Sequence, residues 1–126
     1  MLFNTNKEKG NTSLGMAIAF YTSNGYIVSI PLNDTQDYDL IVDKNNIIKR
    51  VQVKGTSCKN SNGKFQVALK SCGGTQGKTY KTVKDTEVDE VFIFLGSGDV
   101  YIIPIEKIEN KSTLTICEKY SQYKVT

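Results

Sequence analysis

Two short apolar runs decide the fold, Asp39-Leu40-Ile41-Val42-Asp43 and Val51-Gln52-Val53-Lys54, and the polar stretch Lys44-Asn45-Asn46 separates them. Asn-rich turns between apolar runs are typical of a β-hairpin. An even-membered loop centred between the two asparagines places Gln52 opposite Asp39. An odd-membered loop would break this register.

The hairpin brings three polar side chains together. Gln52 and Lys54 share one face of their strand, while Val51 and Val53 share the other. Opposed residues lie about 4.5–5.5 Å apart at Cβ, so Asp39 joins the same patch. Carboxylate and carboxamide oxygens suit Mg²⁺, and a lysine stabilises charge on a phosphate. The pattern indicates metal-assisted phosphodiester hydrolysis; the alternative is an ordinary solvated face of a half-buried hairpin.

Length and composition exclude several classes of protein. The 126 residues fit a single domain, 1–126. The chain has three cysteines without a CxxC pair and no histidine, which argues against a zinc site and against catalysis by a histidine base. No apolar run approaches the roughly 18 residues of a membrane span, and the N-terminus lacks a signal-peptide pattern. We therefore expect a cytoplasmic protein with reduced thiols and no membrane association.

Basic residues concentrate after the hairpin. No acid interrupts the segment from Gly55 to Lys84, although the net charge of the chain is only +3. A lysine-rich segment beside the polar patch suits a phosphate backbone, and the alternative is a solubilising loop. The candidate DNA-binding residues are Lys59, Lys64, Lys70, Lys78, Tyr80 and Lys81.

The rest of the chain supplies the frame of the fold. Helical spacing predicts a helix over residues 11–24, capped by Asn11, Thr12 or Ser13. The continuous apolar run Val91–Leu95 predicts a central strand buried on both faces. Shorter strands are expected at 26–30, 64–70, 100–103 and 114–116, with a short helix at 82–90 and one helical turn at 105–109. The expected fold class is α/β (α+β): an N-terminal helix, then a mixed central β-sheet with short flanking helices.

A helix, a strand, Asp39, a hairpin and Gln52-x-Lys54 in this order resemble the PD-(D/E)XK nuclease superfamily. Further stretches resemble the small homing endonucleases encoded in bacterial and phage group I introns: 25–31, 38–43, 50–54, 100–104 and 118–120. The resemblance implies a restriction-endonuclease-like core, Mg²⁺ or Mn²⁺ as cofactor, and site-specific cleavage of double-stranded DNA. It also implies a homodimer or homotetramer, since cutting two antiparallel strands needs two sites.

The resemblance assigns roles to individual residues. Asp39 is the metal-binding carboxylate, Gln52 stands where an acid is usual, and Lys54 is the lysine of the motif. Relatives often place a glutamate in the first helix, at the position of Leu14 here. Glu8 is the nearby acid that could replace it as a metal ligand and catalytic residue if the helix begins earlier.

Three other functions stay open on the sequence. The same fold could serve a resolvase that cuts Holliday junctions or other branched DNA. It could also be a DNA-binding module whose catalytic site has decayed, since the helix glutamate is missing. A protein-interaction domain without a nucleic-acid role is the third alternative.

Overall fold

The structure of the protein is a computed structural model that describes residues 5–33, 37–69, 71–72, 80–81, 87–108 and 112–125. Its first element is the helix α1, Asn6–Ser23. None of the helices in these ranges is both long and apolar enough to cross a lipid bilayer.

Helix α1 begins five residues earlier than the sequence predicts. The Thr5 hydroxyl caps it by accepting a hydrogen bond from the Glu8 N–H at 3.0 Å. Thr5 and Glu8 have the spacing of a capping box, which sequence analysis missed because it placed the cap among residues 11–13. Ser13 instead lies inside the helix and is buried. The predicted stop at Asn24-Gly25 is confirmed, and Gly25 has a φ of 87°.

Five strands form a mixed sheet, in the spatial order β1 (Ile27–Ser29), β2 (Leu40–Lys44), β3 (Ile47–Thr56), β7 (Glu90–Leu95) and β8 (Val100–Pro104). Strands β3 and β7 are parallel, and the other neighbours are antiparallel. Two further pairs lie outside this sheet: β4 (Gln66–Ala68) with β9 (Thr113–Thr115), and β5 (Ser71–Cys72) with β6 (Tyr80–Lys81).

The β2–β3 hairpin has the predicted register. Leu40 pairs with Val51, which leaves Asp39 and Gln52 as the next opposed positions. Asn45 and Asn46 both have positive φ, at 54° and 65°. A two-residue turn of this type matches the right-handed twist of the flanking strands, and asparagine tolerates the left-handed conformation.

The sheet buries apolar residues on both faces. Helix α1 covers one face, where Ala17 and Tyr21 pack on a cluster that includes Val51 and Phe92. On the other face, Val91 and Ile93 pack with residues from the second half of the chain. Every residue of β7 is buried, which confirms the predicted central strand.

Smaller elements differ in length from the predictions. The strand predicted at 64–70 is shorter, as β4, although Val67 and Leu69 are buried, as the alternation of apolar residues in that segment predicts. The turn predicted at 105–109 is a 3-10 helix at Ile105–Lys107, and a second 3-10 helix spans Glu118–Tyr123.

The helix predicted over 82–90 is wrong for its described part, 87–90, and the rest lies outside the described residues. Asp89 instead continues the pairing of β3 with β7, because its N–H donates to the Arg50 carbonyl and its carboxylate accepts from the Arg50 N–H.

Candidate active site

The candidate site lies at the start of β2, where β3 continues to Thr56 without β2 beside it. The Asp39 N–H donates to the Val51 carbonyl at 2.8 Å, and this bond is the last between the two chain segments in the hairpin ladder. From Gln52 to Thr56, β3 pairs with β7 along one edge only. On the open edge, the Val53 N–H donates to Asp39 Oδ2 at 2.8 Å. A side-chain carboxylate thus takes the place that a backbone carbonyl would fill in a longer β2.

Gln52 and Lys54 join Asp39 at this edge. Gln52 Nε2 donates to the same carboxylate oxygen, Oδ2, at 3.2 Å. The positive charge of Lys54 is close enough to lower the pKa of Asp39. All three residues are half-buried, and fully buried Val51 lies beside them in β3. The structure therefore brings together the three side chains that the hairpin register predicted, while their catalytic roles stay predictions.

Burial acts on both charged groups of the site. Removal from water raises the pKa of the Asp39 carboxyl, against the opposing effects of the Val53 hydrogen bond, Lys54 and Gln52. Burial likewise lowers the pKa of the Lys54 ammonium, and the nearby charge of Lys9 adds to this effect, while Asp39 opposes it. The charged forms of both side chains are thus held in the site at a cost that a bound ion or substrate could offset.

The free oxygens at the site fit a hard divalent cation. Asp39 Oδ2 accepts both hydrogen bonds, and Oδ1 accepts none from the described residues. The Gln52 carboxamide oxygen, which is neutral, is a second possible metal ligand. Within the described ranges, no three or more histidine, cysteine, aspartate or glutamate side chains are grouped to hold a metal. One carboxylate and one carboxamide suit an ion such as Mg²⁺, which keeps several water or phosphate ligands.

Glu8 lies on the solvent side of α1. It precedes Ala17 by nine residues, which places it roughly half a helical turn away from the buried stripe of Ser13, Ala17 and Tyr21. Glu8 is exposed, as this phase requires. The earlier start of α1 therefore does not turn Glu8 toward Asp39, and its role as a metal ligand remains an untested prediction.

Lys9 is a site residue that sequence analysis missed. A cleft of about 490 Å³ lies beside Lys54, and Asn6, Lys9 and Gly55 are among the residues that line it. Lys9 precedes Ser13 by four residues and so shares its helical face. This spacing could have identified Lys9 from the sequence, had the helix been extended to Thr5.

The predicted DNA-binding residues are only partly described. Lys59 and Lys64 are exposed in the segment between β3 and β4, and Lys59 Nζ lies 4.9 Å from the centre of the Phe65 ring. Tyr80 and Lys81 form strand β6, and Lys70 and Lys78 lie outside the described residues. The DNA-binding role of all six residues stays a prediction.

Two comparisons with known proteins identify relatives, and a third finds none. The sequence profile of the PD-(D/E)XK endonuclease family matches residues 4–124. No curated protein matches the chain significantly. Among solved structures, the bacterial homing endonuclease I-Ssp6803I superposes with a TM-score of 0.81 at 21% sequence identity, covering 96% of this chain and 89% of that one.

The structural match shows a shared fold, an N-terminal helix on a mixed five-stranded sheet of the restriction-endonuclease-like type. The family profile extends over nearly the whole chain, including Asp39, Gln52 and Lys54. The protein therefore belongs to the PD-(D/E)XK endonuclease family and is a DNA endonuclease.

Proposed function

We propose that this endonuclease hydrolyses phosphodiester bonds of double-stranded DNA with Mg²⁺ or Mn²⁺, in the site-specific manner of a homing endonuclease. One observation carries the proposal: the Asp39 carboxylate is fixed on the open edge of β3, beside Gln52 and Lys54, in a chain of this family. The likeness in fold to the homing endonuclease I-Ssp6803I supports the homing type.

Each residue has a separate task in this proposal. Asp39 Oδ1 and the Gln52 carboxamide oxygen would hold the cation. When bound, such a cation lowers the pKa of a coordinated water and offsets negative charge on the phosphate. The Val53 N–H fixes the orientation of the carboxylate, because it donates to the other oxygen. Lys54 would donate to a phosphate oxygen and stabilise the charge that develops there.

Gln52 changes the charge of the site relative to the usual motif. A carboxamide in place of a carboxylate removes one negative charge, so we expect weaker binding of the free cation. The phosphate of bound DNA supplies negative oxygens, which makes cation binding stronger in the presence of DNA. The amide also donates to Asp39, which a deprotonated glutamate could not do.

A plasmid-cleavage assay with Mg²⁺ or Mn²⁺ tests the proposal. Asp39→Asn and Lys54→Met should each slow cleavage by about 10²–10³-fold, the loss typical of one group that stabilises transition-state charge. Asp43→Asn is the matched control, since Asp43 is a half-buried aspartate on the same hairpin, opposite Ile48. Wild-type rates in both Asp39→Asn and Lys54→Met would show that the reaction occurs elsewhere.

The same assay with Glu8→Gln decides the open role of Glu8. A loss as large as that of Asp39→Asn would require α1 to rearrange on binding, because Glu8 faces solvent in the free protein. Cleavage at the wild-type rate would exclude Glu8 as a required carboxylate and leave Asp39 in that role among the described residues.

The same assay tests the alternative that the missing first-helix glutamate left open, which is DNA binding without cleavage. The observation that favours it is that Asp39 is the one carboxylate found at the site among the described residues, while exposed Glu8 lies on the opposite side of α1 from its buried stripe. Retention of duplex DNA without cleavage in either Mg²⁺ or Mn²⁺ would establish this function. Metal-dependent nicking or cutting by the wild type, absent in Asp39→Asn, would eliminate it.

We also propose that the protein acts as a homodimer or homotetramer, because one site cuts one strand. The sheet ends in the edge strand β1, where the relative exposure of Ile27 is 69%. Ile48 of β3 lies in the same row of the sheet, on the other side of Asp43, and its relative exposure is 64%. Sedimentation equilibrium tests this proposal. A monomer at all concentrations, with full double-strand cleavage, would contradict it.

A further inference from the structure

The cleft beside Lys54 holds a second lysine that the family motif does not include. Lys9 and Lys54 both line it, together with Asn6, and none of the residues that line it carries an acidic side chain. The charge of Lys9 also contributes to the lowered pKa of Lys54, which places the two ammonium groups near each other. The cleft is therefore an electropositive site that opens next to the Asp39 carboxylate.

Close packing fixes the position of Lys9. Its Cγ lies 3.3 Å from the position that a Cβ at Gly55 would occupy, so its stem packs against the backbone of β3. One turn further along α1, the Ser13 side chain would overlap the same Cβ. Glycine at position 55 thus allows α1 to approach β3 closely enough for Lys9 to enter the cleft. Lys9 is half-buried, and it lines the cleft together with Lys54.

The contact between α1 and β3 also leaves one buried polar atom unpaired among the described residues. The Ser13 hydroxyl is buried, with a relative exposure of 1% for the residue, and it has no hydrogen-bond partner among the described residues. Buried hydroxyls are usually satisfied, so this exception marks how tightly α1 is held against β3 at Gly55. Ser13 touches Gly55, which lines the cleft.

We propose that Lys9, with Asn6 as a second donor, binds a backbone phosphate of the DNA strand adjacent to the phosphate that is cleaved at Asp39. This proposal rests on the proposed function and deepens it, since it assigns a substrate-binding residue outside the family motif. Two ammonium groups and an amide, without a carboxylate among the residues that line the cleft, favour an anionic phosphodiester over a cation. Lys9 would thereby set the position of the strand relative to the open edge of β3.

The test is the salt dependence of DNA binding, measured by fluorescence anisotropy with a labelled duplex of arbitrary sequence in EDTA. Cleavage does not occur in this buffer, so binding is measured on the intact chain. Lys9→Gln should make the slope of log K against log [KCl] less negative by about 0.9, the value for one lost phosphate contact. Lys9→Arg, which keeps the charge, should retain the wild-type slope.

Lys7→Gln is the matched control, because it removes the same charge from the same helix. Lys7 is exposed and lies roughly 200° around the helix from Lys9, outside the cleft. We expect its slope to stay near that of the wild type. Unchanged thermal unfolding of both variants would show that the difference is not a folding defect.

Equal slopes for Lys9→Gln and Lys7→Gln would overturn the proposal, whether both change or neither does. If the wild type binds and cuts DNA while Lys9→Gln has a normal slope, only this inference fails and the proposed function stands. If the wild type does not bind duplex DNA at any salt concentration, both fail.

Discussion

Strand β3 carries two lysines near carboxylates, and the two pairs differ in what surrounds them. Lys49 Nζ lies 3.3 Å from Glu90 Oε1, and the Tyr21 hydroxyl donates to Glu90 Oε2 at 2.6 Å. Both oxygens of Glu90 are therefore engaged by groups of the chain itself. The carboxylate raises the pKa of Lys49, and the burial of Tyr21 raises the pKa of its phenol. This closed pair joins α1, β3 and β7.

Five residues along the strand, Lys54 and Asp39 form an open pair. Lys54 forms no salt bridge with any described residue, and burial lowers its pKa against the weaker opposing effect of Asp39. Asp39 uses one oxygen for Val53 and Gln52 and leaves the other for a ligand. We expect the closed pair to contribute to stability through the hydrogen bonds that Glu90 accepts, whereas the open pair leaves a carboxylate oxygen and an ammonium group available to a ligand.

Removal of Glu90 should have the largest effect on stability. Glu90→Ala leaves the buried Tyr21 hydroxyl without its acceptor and Lys49 without its partner, so we expect a loss of about 3 kcal/mol. Glu90→Gln keeps an acceptor for Tyr21 and should lose only about 1 kcal/mol. Urea unfolding measures both. The comparison fails if Asp39→Asn, which keeps the acceptor for Val53, destabilises the protein as much as Glu90→Ala.

Close packing at Gly55 supports the open pair, and its loss should have the next largest effect. A Cβ at this position would overlap the Ser13 side chain, so α1 must shift away from β3. We expect Gly55→Ala to lower the free energy of unfolding by about 2 kcal/mol, within the range for overpacked sites.

Gly15→Ala is the control for this substitution, because a Cβ built there has no described atom within 4 Å apart from its chain neighbours and the backbone of the helix itself. Gly15 is a helix-interior position, so alanine should raise stability by up to about 1 kcal/mol. Equal stability of Gly55→Ala and the wild type would mean that α1 does not depend on this contact.

Much of the fold follows from local sequence, and the site follows from one register. Asn45 and Asn46 specify a two-residue turn, and that turn alone sets Asp39 opposite Gln52. The apolar run of β7 indicates an interior strand, because a strand that is covered on both faces of the sheet carries apolar side chains at successive positions.

Long-range contacts explain what the sequence did not show. Gly10 and the polar residues around it suggest a loop, and the helix extends through them because of the Thr5 cap and the packing of Ser13 on Gly55. The position of Lys9 depends on that extension. The closed pair joins residues 21, 49 and 90, and no local pattern specifies such a contact.

The smallest expected effect is a difference in pH dependence between the two lysines. The lowered pKa of Lys54 means that the unfolded chain, with a pKa near 10.5, binds more protons in the alkaline range, so this residue makes stability rise with pH there. The raised pKa of Lys49 has the opposite sign, and its contribution is lost as pH rises through the folded pKa. Because the Lys49 side chain is 42% exposed, solvent weakens its effect.

Unfolding in EDTA, from neutral pH to about pH 12, separates these contributions, because the Lys49 contribution is lost only above the unfolded pKa near 10.5. Relative to the wild type, Lys54→Met should reduce the increase of the free energy of unfolding with alkaline pH. Lys49→Met should reduce the decrease of that free energy at still higher pH. Changes of the same sign in both variants would contradict the distinction between the open and the closed pair.

The location of the metal ion tests the distinction between the two pairs most directly. Crystals grown with duplex DNA and Mn²⁺ would show the ion in an anomalous difference map. We predict a peak about 2.0–2.2 Å from Asp39 Oδ1, with the Gln52 carboxamide oxygen beside it and no peak at Glu90. A Mn²⁺ ion bound at Glu90, or bound without any contact to Asp39, would contradict this account.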